Sequence, residues 1–161
     1  GTESTARGAP RAGATIPMAR VLVVDDEDSI LVYLTMVLED NGHQACSARD
    51  ADVALEKARQ ERPDLITLDI MMPRRSGIAA YCDLRRDPDL AKIPVVFISG
   101  FSQLCDIGTE HSFRRLVPDK SIPKPQACLE KPIDLTEFLG LVDRLTGETP
   151  EQATERGLTR D

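Results

Sequence analysis

Three aspartates stand where apolar runs break off. Val21-Leu-Val-Val-Asp25-Asp26-Glu27 is a β-branched stretch that ends in consecutive acids, and Leu65-Ile-Thr-Leu-Asp69 ends the same way in one. Carboxylates gathered closely repel one another and are costly to desolvate unless a cation or a shared proton intervenes. Taken singly, Asp25-Asp26-Glu27 reads most simply as a solvated acidic turn. Its repetition at Asp69 changes that reading. In an open α/β sheet, parallel strands bring their carboxyl ends to one edge, where ligands bind. Acids collected along such an edge make a site for a hard cation.

Two further runs end in residues able to join them. Pro94-Val-Val-Phe-Ile-Ser99 is followed by Gly100, and Ala127–Glu130 is followed by Lys131-Pro132. Alone, Ser99 is an ordinary strand-end residue and Lys131 an ordinary surface lysine. Together they add a hydroxyl and a mobile positive charge to the same edge. The stretch Asp69-Ile-Met-Met-Pro73-Arg-Arg-Ser-Gly77 supplies a proline-stiffened loop and a glycine, Gly77, where the backbone is expected to turn tightly into a helix. Met71 and Met72 read as gap-fillers, Met72 packing under the loop.

The elements that must position these residues alternate strand and helix. A helix capped by Asp28 or Ser29 carries Ile30, Leu31, Leu34, Val37 and Leu38 at helical spacing and stops at Asn41-Gly42. Gln44–Ala48 is a strand. Asp50 caps a helix through Val53, Ala54, Leu55 and Ala58 that ends before Pro63. Asp64–Asp69 is the third strand, Ile78–Arg86 the third helix, Pro94–Ser99 the fourth strand and Ala127–Glu130 a weaker fifth. Leu135–Leu145 closes with a helix. Strands apolar on both faces between amphipathic helices predict an α/β, doubly wound parallel sheet covered on both sides. The segment from Gly100 to Gln126 fits this scheme least. It holds Pro118, Pro123 and Pro125 and at most a short helix at Ser112–Leu116, and loops this long are usually functional or mobile.

Length and composition bound what the edge serves. The chain has 161 residues, a net charge of −7 and a pI near 4.9, enough for one domain with tails. No basic face is available to collect phosphates, which argues against non-specific nucleic-acid binding. No apolar stretch approaches membrane-spanning length, and the first residues lack the apolar region of a signal peptide. Cys46, Cys82, Cys105 and Cys128 are scattered without a C-x-x-C pair, as in reduced cytoplasmic proteins, and two or three read as core fillers. Cys105 and His111 offer only two soft ligands at uninformative spacing. Residues 1–17 read as a disordered tail or expression remnant with Met18 a natural start, 18–146 as the domain, and 147–161 as a second tail.

With Asp25-Asp26, Asp69, Ser99-Gly100 and Lys131-Pro132 at successive strand ends, and Pro73 and Gly77 spaced as they are, the sequence resembles the response regulator receiver domain of two-component signalling. The resemblance spans roughly Met18 to Thr146. It implies a five-stranded flavodoxin-like sheet of order 2-1-3-4-5. It implies that Asp69 accepts a phosphoryl group from a histidine kinase or a histidine phosphotransfer protein, with Mg²⁺, or alternatively Mn²⁺, as cofactor. Asp26 and Asp69 would hold the ion directly, Asp25 mainly through water and Met71 by its carbonyl. Lys131 and Ser99, with Gly100, would meet the phosphoryl oxygens, and Pro132 would follow a cis peptide. The module would catalyse its own phosphorylation and dephosphorylation without turning over an external substrate.

Departures from the family pattern concentrate in one region. Receivers usually carry Tyr or Phe three residues before the lysine, as a ring that swings inward on activation. Here that position is Cys128, whose thiol cannot reproduce the packing change. The span from Ser99 to Lys131 is also about ten residues longer than usual in the family, where ordered loops are normally short. Fourth-helix structure is therefore expected to be reduced or displaced, and output to run through 100–126 by protein binding, since no DNA-binding or catalytic domain follows Thr146. A homodimer is among the assemblies the resemblance allows. Two other classes compete. A phosphatase working through an aspartyl-phosphate needs an acid two residues after the nucleophile, where this chain has Met71. A phosphorylation-independent interaction module on the same fold would bind its partner equally well as Asp69→Asn.

Overall fold

The computed structural model describes residues 19–72, 76–100 and 109–147. The tails expected at 1–17 and beyond Gly147, the start at Met18, and Pro73 and Cys105 lie outside them. Five parallel strands form one sheet: β1 (Arg20–Val24), β2 (Gln44–Ala48), β3 (Leu65–Asp69), β4 (Val95–Ser99) and β5 (Ala127–Glu130). Their spatial order is β2-β1-β3-β4-β5, as the resemblance implied. The helices are α1 (Asp28–Asp40), α2 (Ala51–Glu61), α3 (Gly77–Arg86), α4 (Glu110–Leu116) and α5 (Leu135–Thr146).

Alternation along the strands divides the core in two. Val21, Val23, Leu65, Val96, Ile98 and Leu129 face α1 and α5, meeting Leu31, Leu34 and Leu38 on one helix and Phe138, Leu141 and Val142 on the other. Leu22, Val24, Ile66, Leu68, Val95 and Phe97 face α2, α3 and α4. The central strands β3 and β4 are buried at every position, which is why they read as unbroken apolar runs. Phe138 is 1% exposed, and truncating it to Ala would cost roughly 3–5 kcal/mol. Among the described residues, no helix is long and apolar enough to cross a membrane.

Side-chain caps start four helices. Asp50, Ser76, Thr109 and Asp134 each accept the backbone N–H three residues on, at 2.9, 3.2, 3.2 and 2.9 Å. The first helix departs from expectation: its N-cap is Glu27 rather than Asp28 or Ser29, and no side chain caps it. The Glu27 carboxylate is drawn to Lys131 instead. Gly42, at φ 88°, makes the left-handed turn that takes the chain from α1 into β2. After α2 the same conformation falls on Arg62, at φ 49°.

Between the strands, 109–126 is better tied down than its composition suggested. It holds α4, the shortest of the helices described, followed by a connection stitched by hydrogen bonds. Arg114 Nη1 donates to the carbonyls of Val117 and Asp119 at 3.2 and 2.6 Å, and Asp119 accepts from the backbone and hydroxyl of Ser121. Residues 101–108 lie outside the described residues.

Candidate functional site

The parallel ladder sets the strand ends side by side. Asp69 lies opposite Ile98 in the β3–β4 register, Asp25 N–H donates to Ala48 O just past β1, and Lys131 N–H donates to Ser99 O at 2.8 Å just past β5. One carboxylate oxygen from each of Asp25, Asp26 and Asp69 lies within 4.8 Å of the other two. Lys131 Nζ is 3.0 Å from Asp25 Oδ2, 3.2 Å from Glu27 Oε1 and 3.8 Å from Asp69 Oδ1. The lysine is thus shared among acids rather than paired with one.

Burial makes this cluster electrostatically expensive. Asp25 is 1% and Asp69 3% exposed. Loss of solvent pushes the Asp69 carboxyl up, and the neighbouring Asp25 charge adds to that, to about 7 from an ordinary 3.8; Lys131 and the Met71 N–H pull the other way. Asp25 is also raised, by burial first, against the opposing pull of the Glu27 N–H and of Lys131. For Lys131, desolvation alone would lower the ammonium, but Asp25, Asp69 and Glu27 together outweigh it and hold it above its usual value. Asp25 Oδ1 accepts the Glu27 N–H at 2.9 Å, and its buried Oδ2 meets the Lys131 ammonium at 3.0 Å.

The loop after β3 is anchored from both ends. Asp69 Oδ1 accepts the Met71 N–H at 3.3 Å, and Gly77 N–H donates to Ile70 O at 2.8 Å. The Gly77 requirement proves steric rather than conformational. A Cβ built there would stand 2.1 Å from the Asp69 carbonyl oxygen, so the first residue of α3 must be the one without a side chain. Met72 packs partly buried against the α2–α3–α4 core, as expected, while Met71 is 54% exposed.

Residues 21–113, more than half of the chain, match the family model of the response regulator receiver domain. The chain belongs to that family. Protein PilH of Pseudomonas aeruginosa is 38% identical over 89 residues, covering 55% of this chain and 74% of that protein. Protein Rrf1 of Nitratidesulfovibrio vulgaris is 29% identical over 126 residues, covering 78% and 81%. Among solved structures, the chemotaxis protein CheY4 of Vibrio cholerae superposes with a TM-score of 0.67 at 26% identity, covering 80% of this chain and 99% of that one. The chain is also similar to longer proteins. It covers 35% of the phosphate regulon transcriptional regulatory protein PhoB of Escherichia coli, at 42% identity over 80 residues, or 50% of this chain.

Four of the residues singled out in the sequence lie together at the strand ends. Asp25, Asp26, Asp69 and Lys131 converge; Ser99 is fully buried at the end of the adjacent strand, and Gly100 is exposed just beyond it. The Lys131-Pro132 peptide is cis. Lys131 lies beyond the span matched by the family model, so the fold itself brings it to Asp69. Cys128 is half-buried on β5, opposite Phe97 in register. Glu27 was visible in the acidic run but had no role; the structure gives it Lys131. A second omission is Tyr81, a fully buried ring on α3 packed against Phe97 and Phe113. Its helical spacing with Ala80 and Leu84 marked a core face, but nothing in the sequence revealed what its hydroxyl meets.

Proposed function

We propose that this receiver is a phosphorylation-controlled switch or relay module whose phosphoacceptor is Asp69. A sensor histidine kinase or a histidine phosphotransfer protein is the donor in this reading, and output passes to a protein partner. The supporting observation is a buried Asp69 within a three-carboxylate cluster and 3.8 Å from an ammonium. A divalent cation fits the donor set, which is all oxygen: three carboxylates, those of Asp25 and Asp69 buried, within 4.8 Å of one another. Asp26 and Asp69 would hold Mg²⁺, or Mn²⁺, directly, with Asp25 acting mainly through water and Met71 through its carbonyl. When bound, the ion supplies charge neutralisation between an anionic nucleophile and an anionic donor.

The chain's own residues carry the rest. An Asp69 carboxylate oxygen attacks phosphorus, the bond from phosphorus to the donor's imidazole nitrogen breaks, and an acyl phosphate forms. Lys131 is close enough to exchange its contacts with Asp25 and Glu27 for a phosphoryl oxygen, and the Ser99 hydroxyl can donate to another. The Met71 N–H and the abutment of Gly77 fix the acceptor's orientation, so that catalysis is mostly positioning and electrostatics. Intact-mass measurement after incubation with a small-molecule phosphodonor and Mg²⁺ tests the reading. A single phosphoryl adduct is expected on the wild type and none in EDTA or in Asp69→Asn. No adduct on the wild type would leave only an interaction module.

A further inference from the structure

One face of α3 fastens the connection between α4 and β5 at three successive points. Arg86 Nη2 lies 3.5 Å from Asp119 Oδ2, the Tyr81 hydroxyl donates to Pro123 O at 2.5 Å, and Arg85 Nη2 reaches Gln126 Oε1 at 3.5 Å. Tyr81 is the centre of this seam. Its ring is fully buried, 5.1 Å from Phe97 and edge-on to Phe113 of α4 at 5.9 Å, and Arg85 both covers it at 4.8 Å and donates to its hydroxyl at 3.2 Å. An aromatic pair contributes beyond its buried area, and a buried hydroxyl is costly to leave without its partner. The space between α3, β4 and α4 is therefore filled from α3. On the β5 side the register neighbour of Phe97 is the small Cys128.

The other end of α3 is fixed to Asp69. Gly77 is seated on the Asp69–Ile70 backbone with no room for a methyl group, and Tyr81 follows it by one helical turn on the same face. Packed interiors are stiff, so a shift of the acceptor loop has to carry the start of α3 with it. We propose that Tyr81 is the positioning residue that couples the phosphorylation state of Asp69 to the placement of α4 and residues 117–126. The coupling rests on Asp69 being the phosphoacceptor; the fastening of 117–126 by Tyr81 does not.

The chain has two tyrosines, and the other, Tyr33, is exposed on α1. Full-length protein labelled with 3-fluorotyrosine therefore gives an internal reference. With a phosphodonor and Mg²⁺, the fluorine resonance of Tyr81 is expected to shift while that of Tyr33 stays fixed, in step with adduct formation by mass. An adduct with an unmoved Tyr81 resonance would overturn the coupling alone; no adduct would overturn the phosphoacceptor reading and the coupling with it. The fastening is tested without phosphodonor by hydrogen exchange on Tyr81→Phe, which keeps the ring. The amides of Ile122 and Gln126 should exchange about tenfold faster, as for loss of one buried hydrogen bond. Unchanged exchange there would overturn it.

Discussion

Gly77 rests against the carbonyl of Asp69 so closely that an added Cβ would stand 2.1 Å from the oxygen and 2.9 Å from Ile70 Cα. Both obstacles are backbone, which cannot rotate away as a side chain would. Gly77→Ala is expected to destabilise the protein by roughly 2 kcal/mol or more, at the high end of overpacking costs, and to slow phosphoryl uptake by tilting the acceptor. Urea denaturation and the rate of adduct formation would check the two effects. A variant with wild-type stability would mean that α3 can slide away from the loop freely.

The raised carboxyl of Asp69 fixes the direction of a pH dependence. Its folded value, about 7, lies above its ordinary 3.8, so the proton favours the folded state. That contribution is fully present below the ordinary value and is lost as the pH climbs through about 7. Asp25, raised by burial, acts in the same sense. In EDTA, the wild type is expected to lose stability relative to Asp69→Asn between about pH 4 and about pH 7. Melting temperatures that run parallel across this window would contradict the assignment. Mg²⁺ should narrow the gap, since it favours the deprotonated acid.

Lys131 is both a partner and a competitor. It neutralises Asp25 and Asp69, and it occupies the field that a cation would use. Lys131→Met should lower metal-free stability at neutral pH by about 1–3 kcal/mol, because it strands buried acids. It should also tighten Mg²⁺ binding several-fold, measured by calorimetric titration. Weaker Mg²⁺ binding in the variant would show that the lysine preorganises the carboxylates rather than competing for them.

Thr67 lies in the centre of β3, fully buried, and its hydroxyl has no hydrogen-bond partner among the described residues. It shares a face with Leu65, toward α1 and α5. Thr67→Val keeps the branched shape and removes the stranded oxygen, so stability should rise by about 1 kcal/mol. A loss of stability in chemical denaturation would reveal a buried water bound to the hydroxyl.

These residues show what the sequence made legible. Asp25, Asp69 and Lys131 could be placed together because each ends a strand whose apolar run has a clear limit, and parallel topology turns shared strand ends into proximity. The helix start at Asp50 was read from local chemistry; Ser76 and Asp134 cap their helices in the same way but were not read, and Ser76 puts the third helix one residue earlier than its apolar spacing suggested. Glu27 escaped this logic because the partner of its carboxylate, Lys131, lies far along the chain. His43, whose Nδ1 accepts the Ala19 N–H at 3.2 Å, and Tyr81 with Pro123 escaped it for a related reason. Their partners lie 24 and 42 positions away, and no periodicity encodes such pairs. The reading of Gly77 as a turn residue identified the right position but missed its cause, since steric approach between separate segments leaves no local trace.

The separation of 104 positions between Glu27 and Lys131 has a kinetic consequence. The acids are laid down with β1 and β3, while the ammonium that tempers them arrives only when β5 docks on the sheet's outer edge. Any partly assembled chain with β1 and β3 paired and β5 undocked would leave like charges facing one another alone. Closing that final ladder relieves the repulsion, so charge itself rewards completion of the sheet. Refolding should accelerate with ionic strength, and a chain that stops short of β5 should not hold the acceptor pocket together.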